Sequence, residues 1–311
     1  MTMDGSPRVV SLLPSATEIC YALGVEPVAV SHECDYPPEA RELPAVNSSR
    51  VANAGSSGAV NEEVAAAESD GGVYEVDVEA LRAADPCLVI AQGVCDVCAI
   101  DGSLAMEAVE AAGLDADVFA LHSHSLDGVL GDVEEVGERL GRVDEAGALV
   151  GRLRDRIEAV RAAAAGVEDR PRVAVLDWME PVMVAGHWIP EMVEIAGGEY
   201  DLAETGDRST PREWEGIVEY DPEVLVAAPC GFDLERTLAH AGELTGREGW
   251  AALSAVESDR AYAMDGHNYV NRPGPRLVET LEYLAGSIHP ERCEAPPVDA
   301  VREISAKRTA R

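Results

Sequence analysis

Short β-branched runs alternate with helical stretches through the first half of the chain: Arg8-Val-Val-Ser-Leu-Leu13, Val28-Ala-Val30, Cys87-Leu-Val-Ile-Ala91 and Asp117-Val-Phe-Ala-Leu121. This alternation predicts βαβ units around a mainly parallel sheet. It begins again with Arg172-Val-Ala-Val-Leu176, Glu223-Val-Leu-Val-Ala227 and Arg260-Ala-Tyr-Ala-Met264, so a second lobe of the same architecture is expected. The halves also echo each other locally, because Asp85-Pro86 before one strand run has a partner in Asp221-Pro222 before another. In each, a helix stops before proline and an interior strand follows.

Between the halves, Val143, Ala146, Leu149, Val150, Leu153, Ile157 and Val160 keep helical spacing, with charged residues on the other faces. Such a helix from Val143 to Ala165 would run about 35 Å at ~1.5 Å per residue, a domain diameter. Packed on both lobes, it acts as a strut and restricts opening to a small hinge. The expected fold class is therefore α/β, two Rossmann-like lobes with mainly parallel sheets joined by one long bridging helix. The division is 1–142 for the first lobe, 143–167 for the helix, 168–290 for the second lobe and 291–311 for a polar tail.

Composition bounds the partners. Of 311 residues 47% are hydrophobic, enough for two cores. The net charge of −34, from 58 acidic against 24 basic residues scattered along the chain, repels nucleic acid and anionic lipid. A carboxylate-rich surface of this kind suits a halophilic host, where counterions screen the self-repulsion. No apolar run reaches membrane-spanning length. No secretory signal or lipid-attachment cysteine is seen, so the chain as given is expected in the cytoplasm, or outside the membrane and associated with it if its true start lies upstream. A monomer is expected. The seven cysteines lack disulfide-framework spacing and read as free thiols or metal ligands. The chain carries no HExxH, GxSxG, phosphate-loop GKS/T or dinucleotide GxGxxG signature.

In parallel α/β lobes ligands gather at the carboxyl ends of strands. Ser15 and Thr17 follow the first strand run, where a hydroxyl either caps the next helix or leaves its N–H groups to a ligand. The second loop offers His32, Glu33, Cys34, Asp35 and Tyr36. Cys95 and Cys98 form a CxxC pair, and with Cys34, His122 and His124 on neighbouring loops they make a candidate site for zinc or another thiophilic ion. A redox pair or small buried cysteines are the alternatives. In the second half, Trp178 and Trp188 are loop aromatics beside His187 that either pack on the lobe or present flat faces to a flat ligand. His267, Tyr269 and Arg272 either reach the cleft or form a capped loop with a surface ion pair.

At Arg8-Val-Val-Ser-Leu-Leu-Pro-Ser-Ala-Thr-Glu18, Val30-Ser-His-Glu-Cys-Asp-Tyr-Pro-Pro38, Gly197-Gly198 and Arg272-Pro-Gly-Pro-Arg276 the chain resembles the cobalamin- and iron-siderophore-binding proteins of ABC importers. The resemblance spans roughly residues 8–290 and implies two lobes on a rigid helix, with binding and delivery rather than catalysis. It implies a cobalamin-like corrinoid as ligand and an ABC permease as partner, Arg272 in the position of a ligand-contacting arginine, and Glu79 and Glu215 as permease-docking glutamates, one per lobe. The chain departs from the pattern at His32-Glu33-Cys34, where cobalamin-binding members carry aromatics, and at its CxxC loop. A thiolate and imidazole carrier of metal or haem, and a cytoplasmic enzyme acting on a corrinoid or metal chelate, are the rival readings.

Overall fold

A computed structural model describes residues 7–94 and 99–304. The β-branched runs become central strands because they are buried on both faces, as parallel strands covered by helices must be. The first half supplies β1 (Val9–Ser11), β2 (Ala29–Val30), β3 (Asn47–Ser49), β4 (Tyr74–Val76), β5 (Leu88–Gln92) and β6 (Asp117–Leu121). Four of these form a parallel sheet in the order β2-β1-β5-β6, and β3 pairs antiparallel with β4 beside it.

The second half supplies β7 (Val173–Met179), β8 (Val182–Val184), β9 (Thr210–Pro211), β10 (Val224–Ala227), β11 (Ala261–Met264) and β12 (Val301–Glu303) in the order β12-β11-β10-β7-β8-β9. Parallel pairing joins only β7, β10 and β11, and β8, β9 and β12 are added by antiparallel pairing. The stretch 291–311, expected as a polar tail, thus contributes a strand: Tyr262 pairs with Glu303 and Met264 with Val301, while Ala300, Val301 and Ile304 are buried. Without this strand β11 would be an unpaired sheet edge.

The helix Val143–Ala164 packs on Leu126–Leu140 of the first lobe and on Ile189–Ile195 and Leu277–Ile288 of the second. Its apolar stripe from Ala146 to Val160 is buried. At Gly137 a Cβ would stand 2.4 Å from the Ala146 Cβ, so only glycine permits this close crossing. Arg156 fixes the helix to the second lobe through a two-pronged pair with Glu282 at 2.8 and 2.7 Å. No described helix is long and apolar enough to cross a membrane.

The internal echo extends beyond Asp-Pro. Helices Val78–Ala84 and Trp214–Tyr220 end on Asp85 and Asp221, each left-handed with φ of 45°. In the first lobe Arg8 donates from Nε to the Asp85 carbonyl at 2.9 Å and from Nη2 to the Ala84 carbonyl. In the second, Arg172 donates to the Asp221 carbonyl at 2.7 Å and the Tyr220 carbonyl at 3.1 Å. Each arginine satisfies helix-end carbonyls and meets the negative pole of the helix.

The interlobe cleft as candidate functional site

The loops after β2, β8, β10 and β11 and the end of β7 face each other across a cleft of about 1240 Å³, and Trp178, expected on a loop, lies within strand β7. His32, Glu33, Cys34, Asp35, Trp178, His187, Trp188 and His267 all line it, so eight of the expected ligand residues come together. His32 is held by Asn47, whose Oδ1 accepts from the His32 backbone N–H at 2.9 Å and lies 3.3 Å from Nδ1. Burial pushes the Glu33 carboxyl upward against the opposing charges of His32, His267 and Arg272.

On the second lobe, Trp178 is half-buried, with its indole N–H donating to the Glu180 carbonyl at 3.1 Å and its ring meeting Phe232 edge-on at 5.4 Å. Trp188 is only 5% exposed and donates to the Val270 carbonyl at 3.0 Å, so it supports the cleft wall from within the core. Its fully satisfied N–H and its packing fit a core tryptophan, and Trp178 is the one with ring surface to spare.

Four expected ligand residues lie outside the cleft lining. Helix Pro14–Ala22 starts with Leu13 as cap and Pro14 in the first turn, which places Ser15 and Thr17 inside the helix rather than before it. Both are buried, and the Thr17 hydroxyl lies 2.8 Å from Ser11 Oγ and 3.0 Å from Cys34 Sγ. Tyr36 is 44% exposed on the outside, with the Arg276 guanidinium 3.9 Å over its ring.

Arg272 is neither a surface pair nor an open cleft contact. It is 4% exposed and donates from Nη1 to Asp35 Oδ1 at 2.6 Å, with Glu18 Oε1 3.5 Å away. Arg276 grips Glu18 with two bonds, at 2.9 and 2.5 Å. The two carboxylates belong to the first lobe and the two arginines to the second, so a buried ion network joins the lobes beside the cleft. His267 Nε2 lies 3.0 Å from Asp35 Oδ2 and 2.8 Å from Arg272 Nη2. One nitrogen serves only one of these: protonated, it donates to Asp35, and unprotonated, it accepts from Arg272. Burial raises the Asp35 carboxyl, but the bonds from His267 and Arg272 and the arginine's charge outweigh it and hold it well below the usual carboxylate range. Glu18 and Arg276 had gone unassigned, although a glutamate between Ala16 and Ile19 on an apolar helix is a visible sign of a buried partner.

A second bridge bounds the cleft where helix Ser57–Ser69 begins. Glu243 of the second lobe accepts from the Ser57 N–H at 3.2 Å, and Arg236 donates to Asn53 Oδ1 at 3.0 Å.

The described members of the expected metal site do not gather. Cys34 is buried, its Sγ accepts from Thr17, and burial pushes its thiol up to about 12. The His122 ring lies 3.3 Å from the Gly93 carbonyl of its own lobe, and His124 instead meets His187 across the cleft edge, Nδ1 to Nδ1 at 3.0 Å. Among the described residues no three His, Cys, Asp or Glu side chains are placed to share an ion. Cys95 and Cys98 lie outside the described residues. Glu79 and Glu215 are both exposed, and each is the second residue of a seven-residue helix in the repeated helix–Asp–Pro–strand unit.

Two α/β lobes spanned by one helix, with a cleft lined from both, define a bilobal ligand-binding protein. Residues 9–267 match the periplasmic binding protein family, and the chain belongs to it. It is 28% identical over 300 residues to a cobalamin-binding protein of Halobacterium salinarum, covering 93% of this chain and 71% of that one. The fold matches the crystal structure of the periplasmic vitamin B12 binding protein BtuF of Vibrio cholerae, with a TM-score of 0.66 and 22% identity over 91% of this chain and 96% of that one. It likewise matches the periplasmic heme-binding protein RhuT of Roseiflexus sp. RS-1 in its apo form, with a TM-score of 0.68 and 24% identity over 92% of this chain and 99% of that one. These relatives are binding proteins, not enzymes.

Proposed function

We propose that the chain binds a cobalamin-like corrinoid in the interlobe cleft and presents it to an ABC permease. The cleft itself carries this reading. At about 1240 Å³ it exceeds the ~300–1,000 Å³ of ordinary small-molecule sites, and it is lined from both lobes by a half-buried tryptophan face and by polar loop groups. A large flat ligand edged with amides suits such a lining. The cobalamin-binding relative from Halobacterium and the likeness to BtuF support the corrinoid. Haem is the second reading, favoured by the likeness to RhuT and by His32 and His187 at the cleft, since imidazole is a common axial ligand of haem iron. Native mass spectrometry of protein purified from its own host separates them. A bound corrinoid mass with cobalt is expected; a bound haem would replace the first reading with the second.

Delivery requires a docking face. Glu79 and Glu215 occupy equivalent, exposed positions on the two lobes, which supports their assignment as paired contacts to a permease. Arg82 already pairs with Glu79 at 2.5 Å, so the permease would have to displace or share it. The double variant Glu79→Lys with Glu215→Lys is expected to abolish co-purification with the cognate permease in nanodiscs while leaving ligand affinity within about twofold, as for rim charges remote from a site. Unchanged docking would remove both glutamates from the account.

A further inference from the structure

The two histidines that meet at the cleft edge leave different lobes. His124 follows β6 in the first lobe and His187 follows β8 in the second. Their Nδ1 atoms lie 3.0 Å apart and their rings stack with an interplanar angle of 24°. A direct hydrogen bond between them uses one proton and one lone pair. If the donor ring moves its proton to Nε2, both Nδ1 atoms keep a lone pair free for an ion, and no proton has to leave the pair.

Both loops are held firmly by bonds of their own. The His187 backbone is left-handed, with φ of 53°, a conformation that costs energy for a residue other than glycine. It is held there because the His187 N–H donates to the Asp207 carbonyl at 2.6 Å and the Gly206 N–H donates to the His187 carbonyl at 2.9 Å. At Gly186 a Cβ would stand 2.3 Å from the Asp207 carbonyl oxygen, so this loop has no slack. On the first lobe, Ser125 caps the following helix at 3.1 Å, and the Leu126 N–H donates across the lobes to Glu191 at 2.9 Å. Strain held this way around a cleft-lining side chain is the pattern of a ligand-binding position.

We propose that His124 and His187 together form a two-imidazole chelate for a divalent transition-metal ion, which bridges the lobes at the edge of the cleft. With metal–nitrogen bonds of ~2.0–2.1 Å, nitrogens 3.0 Å apart subtend about 94° at the ion. That is the angle of neighbouring ligands in square-planar or octahedral geometry and is too narrow for a tetrahedron, so copper(II) and nickel(II) fit better than zinc. Water or a polar group of the cleft ligand completes the coordination. Arg208 lines the same cleft, and its guanidinium works against a cation here and lowers the affinity. The ion can bind without the corrinoid or the permease, so titration of ligand-free protein tests this site separately from the proposed function.

The test uses tag-free full-length protein titrated with copper(II) and followed by electron paramagnetic resonance, with nickel(II) binding measured by calorimetry. One ion per chain is expected, with hyperfine splitting from two imidazole nitrogens. His124→Asn and His187→Asn are each expected to weaken binding by about tenfold or more, the scale on which even supporting residues of metal sites act. Asparagine is chosen because it tolerates the left-handed backbone at 187. If circular dichroism shows one variant misfolded, the wild-type spectrum and the other variant decide. A spectrum with thiolate ligation or with fewer than two nitrogens, or affinity unchanged in the folded variants, overturns the site.

Discussion

Arg272→Ala is expected to lose about 3–5 kcal/mol of folding stability, the usual cost of removing one partner from a buried ion pair. The cost arises on the carboxylates left behind. Arg272 is 4% exposed and sits 2.6 Å from Asp35, so its removal leaves the buried Glu18 with Arg276 alone and the half-buried Asp35 with only His267 and the exposed Arg41, 3.5 Å away. High salt offers little relief, because screening acts on exposed charges. Urea denaturation at constant high salt measures the loss as a shift in midpoint at similar slope. An unchanged midpoint with weakened ligand binding would instead make Arg272 a ligand contact. The pH dependence has a defined sign. The folded-state value of Asp35 is depressed below its ordinary ~4, so its stabilisation is complete above that pH and is lost as pH falls towards the folded value. In Arg272→Ala this acid limb of the stability profile is expected to flatten.

Trp188→Ala is expected to cost a similar ~3–5 kcal/mol, the range for deleting a large aromatic from a core. Trp188 is 5% exposed, and its removal also leaves the Val270 carbonyl without its donor at the start of the loop that carries Arg272. Trp178→Ala makes the contrast. That ring is half-buried at the cleft, so its loss is expected to cost little stability but to weaken ligand binding and remove most of the ligand-induced fluorescence change. Thermal melts with and without ligand distinguish the two. If both variants melt alike, the assignment of one tryptophan to the core and one to the ligand is wrong.

The lobes, the long helix and the repeated strand runs were legible because burial on a strand or a helix face writes a period into the residues themselves. Val173 to Leu176 and Val224 to Ala227 could hardly sit elsewhere than inside a sheet. Contacts between lobes leave no such period. Nothing in the spacing of Arg272 shows that its partner is Asp35, 237 residues away in the chain, or that His124 meets His187. Loop residues were harder still. Ser15 and Thr17 read as caps or ligand groups because both lie near a helix start, and one turn of difference in where the helix begins moved them into the core. The strand Val301–Glu303 was missed for a related reason: three residues in a charged stretch carry too little pattern, and only an open edge on β11 gives them a place.

The central claim is that the cleft holds a corrinoid, and calorimetric titration of the full-length protein with cyanocobalamin in high salt tests it most directly. Binding of one ligand per chain with a dissociation constant of about 1 μM or tighter is predicted, with quenching of Trp178 fluorescence at the same stoichiometry. Neither heat nor quenching at ~100 μM cyanocobalamin, far above such a constant, would contradict it.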